Sequence, residues 1–354
     1  MLFRSLITMQ VIKNVTVVNE GKQTVSDVWI NGSKIAHVVA VGTIDYNNAG
    51  SILDGTGKHL FPGLIDDQVH FREPGLTHKG DLTTESAAAA AGGVTSYMEM
   101  PNTSPSATTL ELLEQKFKRA EEVSTVNYNF FMGATPDNAD VLAQVNPREV
   151  CGVKIFMGSS TGNLLVEKRE ALEVISSKVK TLIATHCEDD GIIKRNLEAL
   201  QATGRTLTAA DHPVIRNAEG CYASSSMAVE LAKKHDARLH ILHISTAREL
   251  ELFTNAIPLK EKRITAEACI HHLWFTEEDY AEKGNLSNFL IRNKKGSSEE
   301  TAFKFFIQIL NATVYLHDSG IIHGCITPDN ILLDKLNNSL LSDFGRSEEH
   351  TSEL

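Results

Sequence analysis

The chain is 354 residues long, carries a formal net charge of −11, and is 42% hydrophobic and 22% charged. That length allows one large core, since a full (β/α)8 barrel takes about 250 residues. The acidic balance argues against a nucleic-acid or anionic-membrane partner, and the five scattered cysteines, none in a C-x-x-C, argue for reduced thiols.

The start, MLFRSLITMQVIKNV, has neither a continuous apolar run nor a small-residue cleavage site. The expectation is a cytoplasmic protein without signal peptide or membrane span. From Val11 to about Leu60, short β-type runs (NVTVVNEG, DVWINGSKIAHVVAVG, SILDGTG) alternate with turn signals, and Asn31-Gly32 reads as a hairpin. This predicts a small N-terminal β module over residues 1–59.

From Leu60 onward strands and helices alternate, the rhythm of a parallel α/β fold. Strands are read at LIDDQVHF, VTSYMEM, YNFFMGA, VKIFMG, TLIATHC, RLHILHI and RITAEAC. Helices are read between them at ESAAAAAGG, TLELLEQKFKRAEEV, VEKREALEVISSKV, EGCYASSSMAVELAKKH and TARELELFTNA. A closed barrel has eight strands; this reading supplies one fewer. The fold class expected is therefore α/β, an incomplete TIM barrel over residues 60–283.

The first of these strands carries the most specific signal. FPGLIDDQVHFREPG runs from an apolar stretch straight into Asp66, Asp67, Gln68, His70, Arg72 and Glu73, as a barrel strand does when it delivers side chains to a site. HFREPGLTHKG followed by GGVTSYMEMPNTSP resembles the dihydroorotases, cyclic amidohydrolases of pyrimidine synthesis. Most of that superfamily has His-x-His here, whereas this chain reads Gln68-Val69-His70. Gln is a weaker zinc ligand than imidazole, although the branch of the family typical of Bacteroidetes resembles this chain in that Gln as well.

The resemblance implies a metal site fed by several strand ends. His70, Lys154, His186 and His243 fall on four of the family's five ligand strands. It implies two zinc ions bridged by a carbamylated Lys154, since a free ammonium repels a cation. Arg72 and Asn102 match the positions that bind the substrate carboxylate, for which a guanidinium fork and an amide are chemically suited. The strand-eight Asp that shuttles a proton in the family has no counterpart here. Blander roles exist for each residue: a strand-end Lys reaching solvent, core histidines, a structural Arg–Asn loop pair. His240, three residues before His243, is expected to face the helical layer. Adjacent His271 and His272 are expected to point to opposite faces of a strand, in structural or supporting roles. Glu188, Asp189 and Asp190 read as a charge cluster at a helix N-terminus.

After about Lys283 the barrel rhythm stops. Ser297 with Glu300 reads as a capping box before a helix whose apolar face carries Phe303, Phe306, Ile307, Leu310 and Val314. HGCITPDN and DFG, within 284–345, resemble the catalytic loop and metal motif of a protein-kinase C-lobe. Cys325 stands where that family has its catalytic Asp, and no Gly-rich phosphate loop with a strand Lys precedes it. The tail RSEEHTSEL, 346–354, spells a translated sequencing adaptor, which points to a chimeric coding sequence. The function expected is that of a dihydroorotase, opening dihydroorotate to N-carbamoyl-aspartate, with this chain truncated and inactive. The rivals are a hydantoinase or allantoinase, and, from another class, a non-catalytic pseudokinase-like binding protein. The partner expected is a small-molecule substrate, and the family implies a homodimer.

Overall fold

The computed structural model describes residues 9–159, 162–208, 211–274, 298, 301–309, 331–333 and 339–341. The chain divides into two compact units, Met1–Ile65 with Gly93–Thr95, and Asp66–Gly92 with Ser96–Leu354.

The first unit is built on a five-stranded sheet of β1 (Met9–Asn19), β2 (Lys22–Asn31), β3 (Lys34–Ala40), β4 (Ala49–Asp54) and β5 (His59–Leu60). The order is β3-β2-β1-β4, with β5 also on β1. The Asn31-Gly32 turn joins the antiparallel pair β2 and β3, with Gly32 in the left-handed region that a tight turn needs. Val11, Val15, Val28 and Trp29 are buried, and the Trp29 ring stacks on Tyr46 with centroids 6.2 Å apart. Asp27 is buried with them because it is fully engaged: it accepts from the backbone of Asn14 and Gly42 and from the Tyr46 hydroxyl. Ile35, Val38, Ile52 and Leu53 are exposed.

The larger unit is organised by a seven-stranded sheet in the order β12-β11-β10-β9-β8-β7-β6, sequential in the chain. The strands are β6 (Leu64–Val69), β7 (Val94–Glu99), β8 (Asn127–Gly133), β9 (Gly152–Phe156), β10 (Leu182–His186), β11 (Arg238–Ile241) and β12 (Ile264–Ala266). Every strand read from the sequence is present. Pairing is parallel from β7 to β12. The helices include α1 (Leu82–Ala91), α2 (Leu110–Val123), α3 (Ala139–Leu142), α4 (Arg169–Lys178), α5 (Asp190–Gln201), α6 (His212–Ile215), α7 (Ala218–His235) and α8 (Ile270–Trp274). Asp81, Thr109, Asp189 and Asn217 cap α1, α2, α5 and α7 through their side-chain oxygens.

Alternation along the strands sorts the core into two layers. Tyr97, Phe130, Val153, Ile155, Ile183, Leu239 and Ile241 pack outward with helix residues such as Leu113, Leu172 and Leu231. Met100, Phe131, Ala184 and Leu242 pack together inward. The sheet curls, so that Asp67 on β6 and Glu267 just past β12 share a side-chain hydrogen bond.

Several expectations need correction. His240 lies in register with inward-facing Ala184, which in turn neighbours Lys154, so His240 faces the inside of the curl and not the helices. TARELELFTNA forms only a 3-10 helix, Ala247–Leu252. His271 and His272 sit on the short helix α8, not on a strand. Ser298 accepts from the Thr301 backbone N–H at 3.2 Å at the start of the helix over 301–309, while Ser297 and Glu300 lie outside the described residues. On it Phe305 is the buried aromatic, whereas Phe303 and Phe306 are exposed. Leu310 and Val314 lie outside the described residues, as do the HGCITPDN and DFG motifs. In the kinase-like stretch, β13 (Ile331–Leu333) and β14 (Ser339–Leu341) pair antiparallel.

Candidate metal and substrate site

The ends of β6 and β7 are fastened to each other. Met100 donates its backbone N–H to Val69 O at 2.9 Å and Ser104 to Pro74 O at 3.0 Å. Gly75, with φ +84°, lies so close that an added Cβ would sit 2.0 Å from Ser104 O. REPG and MPNTSP thus form one packed unit, which is why the two motifs occur together. Glu73 serves that unit structurally: it accepts from the Leu82 N–H at the start of α1 and from Arg119 of α2 at 2.7 Å.

Within it, His70 Nδ1–H donates to Asn102 Oδ1 at 2.8 Å. That bond fixes the tautomer, so that Nε2 is the acceptor and takes a hydrogen bond from Gln68 Nε2–H at 3.3 Å. Burial pushes His70 down to about 3, and the nearby Arg72 and Lys154 cations push the same way. The ring is neutral, as a metal ligand must be.

A second pair of imidazoles comes from β10 and the turn after β11. His186 Nδ1 and His243 Nε2 are 3.1 Å apart. With Zn–N bonds of about 2.0–2.1 Å, two ligand nitrogens on a tetrahedral ion lie about 3.3 Å apart, so the spacing fits a shared cation. His243 reaches this place because its backbone has φ 39°, a left-handed turn that breaks the strand alternation. Burial pushes it down to about 2, helped by Lys154, His186 and His272. His186 Nε2–H donates to Glu188 Oε2 at 3.0 Å. Burial raises Glu188, but its bonds from His186 and Arg216 outweigh that and hold the carboxyl well below its usual range. Glu188 is therefore a partner of His186, while Asp189 caps α5 and Asp190 accepts from Ser159 N–H.

Lys154 is 1% exposed, with its ammonium 4.4 Å from the Phe156 ring centroid. It is no surface lysine. Arg72 is half-buried with φ 69°, and its backbone N–H donates to Glu99 Oε1. Asn102 is buried with its carbonyl committed to His70, an orienting role the sequence did not suggest.

The structure therefore brings His186 and His243 together, and places both His243 and His70 close enough to Lys154 to feel its charge. A further group, Asp67, His240 and Glu267, also has ligand atoms within 4.8 Å of one another. There His240 donates to Glu267 at 3.1 Å, and burial together with Glu267 pushes the Asp67 carboxyl up. Sequence reasoning missed Glu188, Arg216, Glu99, Lys116 and Glu267. Only Glu188, two residues after a ligand-type His, carried a local signal.

Parallel strands that deliver imidazoles and a buried lysine to one end of a curled sheet define an open α/β barrel with a candidate metal site at its strand ends. The profile of the dihydro-orotase-like family matches residues 57–248, and the chain belongs to that family. It is 33% identical over 290 residues to the allantoinase of Deinococcus radiodurans, covering 76% of this chain and 60% of that protein. It is 32% identical over 294 residues to the dihydroorotase of Lactobacillus acidophilus, covering 80% of this chain and 65% of that one. Among solved structures, the L-hydantoinase (dihydropyrimidinase) of Arthrobacter aurescens superposes with a TM-score of 0.71 at 25% identity, covering 77% of this chain and 61% of that chain. The chain thus spans about three fifths of the length of these relatives. The protein kinase domain profile matches residues 271–354. No helix among the described residues is long and apolar enough to cross a membrane.

Proposed function

We propose that residues 60–283 carry the metal-binding and carboxylate-binding parts of a dihydroorotase-type site, whose full reaction opens dihydroorotate to N-carbamoyl-aspartate. The observation that carries this reading is the 3.1 Å approach of His186 and His243 beside buried Lys154. His70, Lys154, His186 and His243 would hold the metal, zinc by its donor set, with Lys154 as a carbamate. The chemistry supplied by bound zinc is Lewis-acid polarisation of the ring amide carbonyl and a water of lowered pKa.

The chain's own residues do the rest. Asn102 and Glu188 hold the His70 and His186 rings in one tautomer each, and Arg72 receives the substrate carboxylate. The family's proton-shuttling carboxylate belongs to a strand that the seven-stranded sheet does not contain among the described residues. We therefore assign ligand binding, without turnover, to this 354-residue polypeptide.

Calorimetric titration of the zinc-loaded protein with L-dihydroorotate and with 5,6-dihydrouracil tests the reading. Preference for dihydroorotate, lost in Arg72→Ala, is expected. Equal binding of both rings would favour the alternative of a hydantoinase- or allantoinase-like site, which the allantoinase and hydantoinase relatives make the closest rival. For residues 271–354, phosphoryl transfer is not part of the proposal, because Cys325 replaces the catalytic Asp. Saturable ATP binding abolished by Asp343→Ala would overturn that.

A further inference from the structure

Behind the REPG turn lies a buried ion pair that the chemistry above does not use. Glu99, at the end of β7, is fully buried, and Lys116 of α2 is 3% exposed. Lys116 Nζ is 2.7 Å from Glu99 Oε2, a contact of charges rather than a well-aimed hydrogen bond. The ammonium also donates to Met100 O at 3.2 Å and lies 4.9 Å from the Phe130 ring centroid. Taking both charges out of water is costly, and an apolar pair of similar volume would hold β7 to α2 as well or better. The second carboxylate oxygen shows what the charges achieve: Glu99 Oε1 accepts the backbone N–H of Arg72 at 3.1 Å. Arg72 is there in the left-handed region, φ 69°, which an L-residue with a long side chain rarely adopts unless its surroundings hold it.

We infer that Glu99, fixed in place by Lys116, is a positioning residue that holds the Arg72 turn and so aims its guanidinium at the carboxylate of a small cyclic amide. Lys116 ties Glu99 and the Met100 carbonyl to α2, and Met100 N–H is bonded to Val69 O, so the lysine fixes both strand ends from which Arg72 and Asn102 project. The inference rests on the assignment of Arg72 to the substrate carboxylate, and the test separates the two.

Two double variants differ only in whether the Arg72 N–H keeps an acceptor: Glu99→Gln with Lys116→Met, and Glu99→Leu with Lys116→Met. Neither leaves an unpaired buried charge, and circular dichroism with zinc content establishes that both are folded and loaded. Each, with Arg72→Ala and the parent, is titrated with L-dihydroorotate and with 5,6-dihydrouracil, the same ring without the carboxylate. The Gln variant is expected to bind dihydroorotate nearly as the parent does. The Leu variant is expected to lose roughly tenfold, the scale of one hydrogen bond within a charged recognition site, with dihydrouracil binding unchanged. Equal dihydroorotate affinity in the Gln and Leu variants overturns the positioning role while leaving Arg72 as the carboxylate partner. Equal losses for both ligands in the Leu variant also overturn it, because they mark a merely structural pair. No effect of Arg72→Ala overturns the carboxylate assignment and the inference with it.

Discussion

His186 and His243 come from consecutive strand ends, 57 residues apart in sequence, and bring Nδ1 of one ring to 3.1 Å from Nε2 of the other. The two half-buried imidazoles share a hydrogen bond at that separation, and both nitrogens suit one cation. Elemental analysis of the purified protein should therefore find zinc, and His186→Ala and His243→Ala should each lower it. Unchanged metal content in both variants would remove the site.

Glu188 offers a finer test of the same centre. It holds His186 Nε2–H at 3.0 Å and is itself held by Arg216. Changing such an orienting partner typically costs about 10–100-fold in metal affinity. Glu188→Gln should weaken zinc binding by that order, read by competition with a chromophoric chelator, while Asp189→Asn, which touches the α5 cap instead, should not.

The difference between these two neighbours marks how far the sequence could be read. Strand positions were legible because each apolar run of β6 to β12 ends in Gly, polar or loop-forming residues, and ligand candidates stood at those ends. What the sequence could not carry were relations across strands. His240 was misplaced because strict alternation counts from His243, and His243 has left the strand with φ 39°. The Glu188–Arg216 bond joins residues 28 apart with no pattern between them. No sequence pattern links Glu99 to Lys116, and only the fold buries both and pairs them. The Phe303 and Phe306 face of the 301–309 helix was read from helical period alone, and the structure buries Phe305 instead.

The N-terminal sheet should have its own pH window. Burial raises the Asp27 carboxyl, but the bonds from Tyr46 O–H, Asn14 N–H and Gly42 N–H outweigh it and leave the pKa lowered. A lowered carboxyl stabilises above its unfolded value of about 3.9 and loses that contribution as the pH falls through the folded value. The Tyr46 pKa is raised, chiefly by its bond to Asp27, so its contribution is complete below about pH 10 and is lost as the pH rises through the folded value. Trp29, stacked on Tyr46, reports both ends by fluorescence in a Trp274→Phe background. Asp27→Asn should abolish the acid-side transition; an unaltered titration would show that Asp27 does not govern it.

The Glu99–Lys116 pair predicts a stability pattern as well as a binding one. Burial pushes Glu99 up and Lys116 down, so each charge depends on the other. Removing one partner of such a pair typically costs about 3–5 kcal/mol, whereas replacing both is often neutral. Lys116→Met alone should lower the denaturant midpoint sharply, and adding Glu99→Leu should restore most of it. Equal loss in the single and double variants would contradict the coupling.

Turnover is decided by competition between what the site retains and what it lacks. Three imidazoles, Lys154 and Arg72 are gathered on the curled sheet, so zinc and a carboxylate ligand should bind. The sheet among the described residues runs from β6 to β12, and the sequence from residue 271 matches a protein kinase domain. Among the described residues the Asp67–Glu267 contact closes the curl through side chains, and Glu267 Oε1 is already occupied by the His243 backbone N–H at 3.2 Å. A missing general acid–base group typically costs about 10²–10⁴-fold in rate. In this family's chemistry the same carboxylate also serves as a metal ligand, so its loss weakens the electrophile too. The 354-residue polypeptide should therefore show no dihydroorotate opening above background, measured by ultraviolet absorbance with zinc present. Fusing a relative's strand-eight segment after residue 274 should create activity that Lys154→Ala abolishes. Zinc-dependent turnover by the unmodified chain would mean that a described residue, Asp67 or Glu267 first among them, already moves the proton.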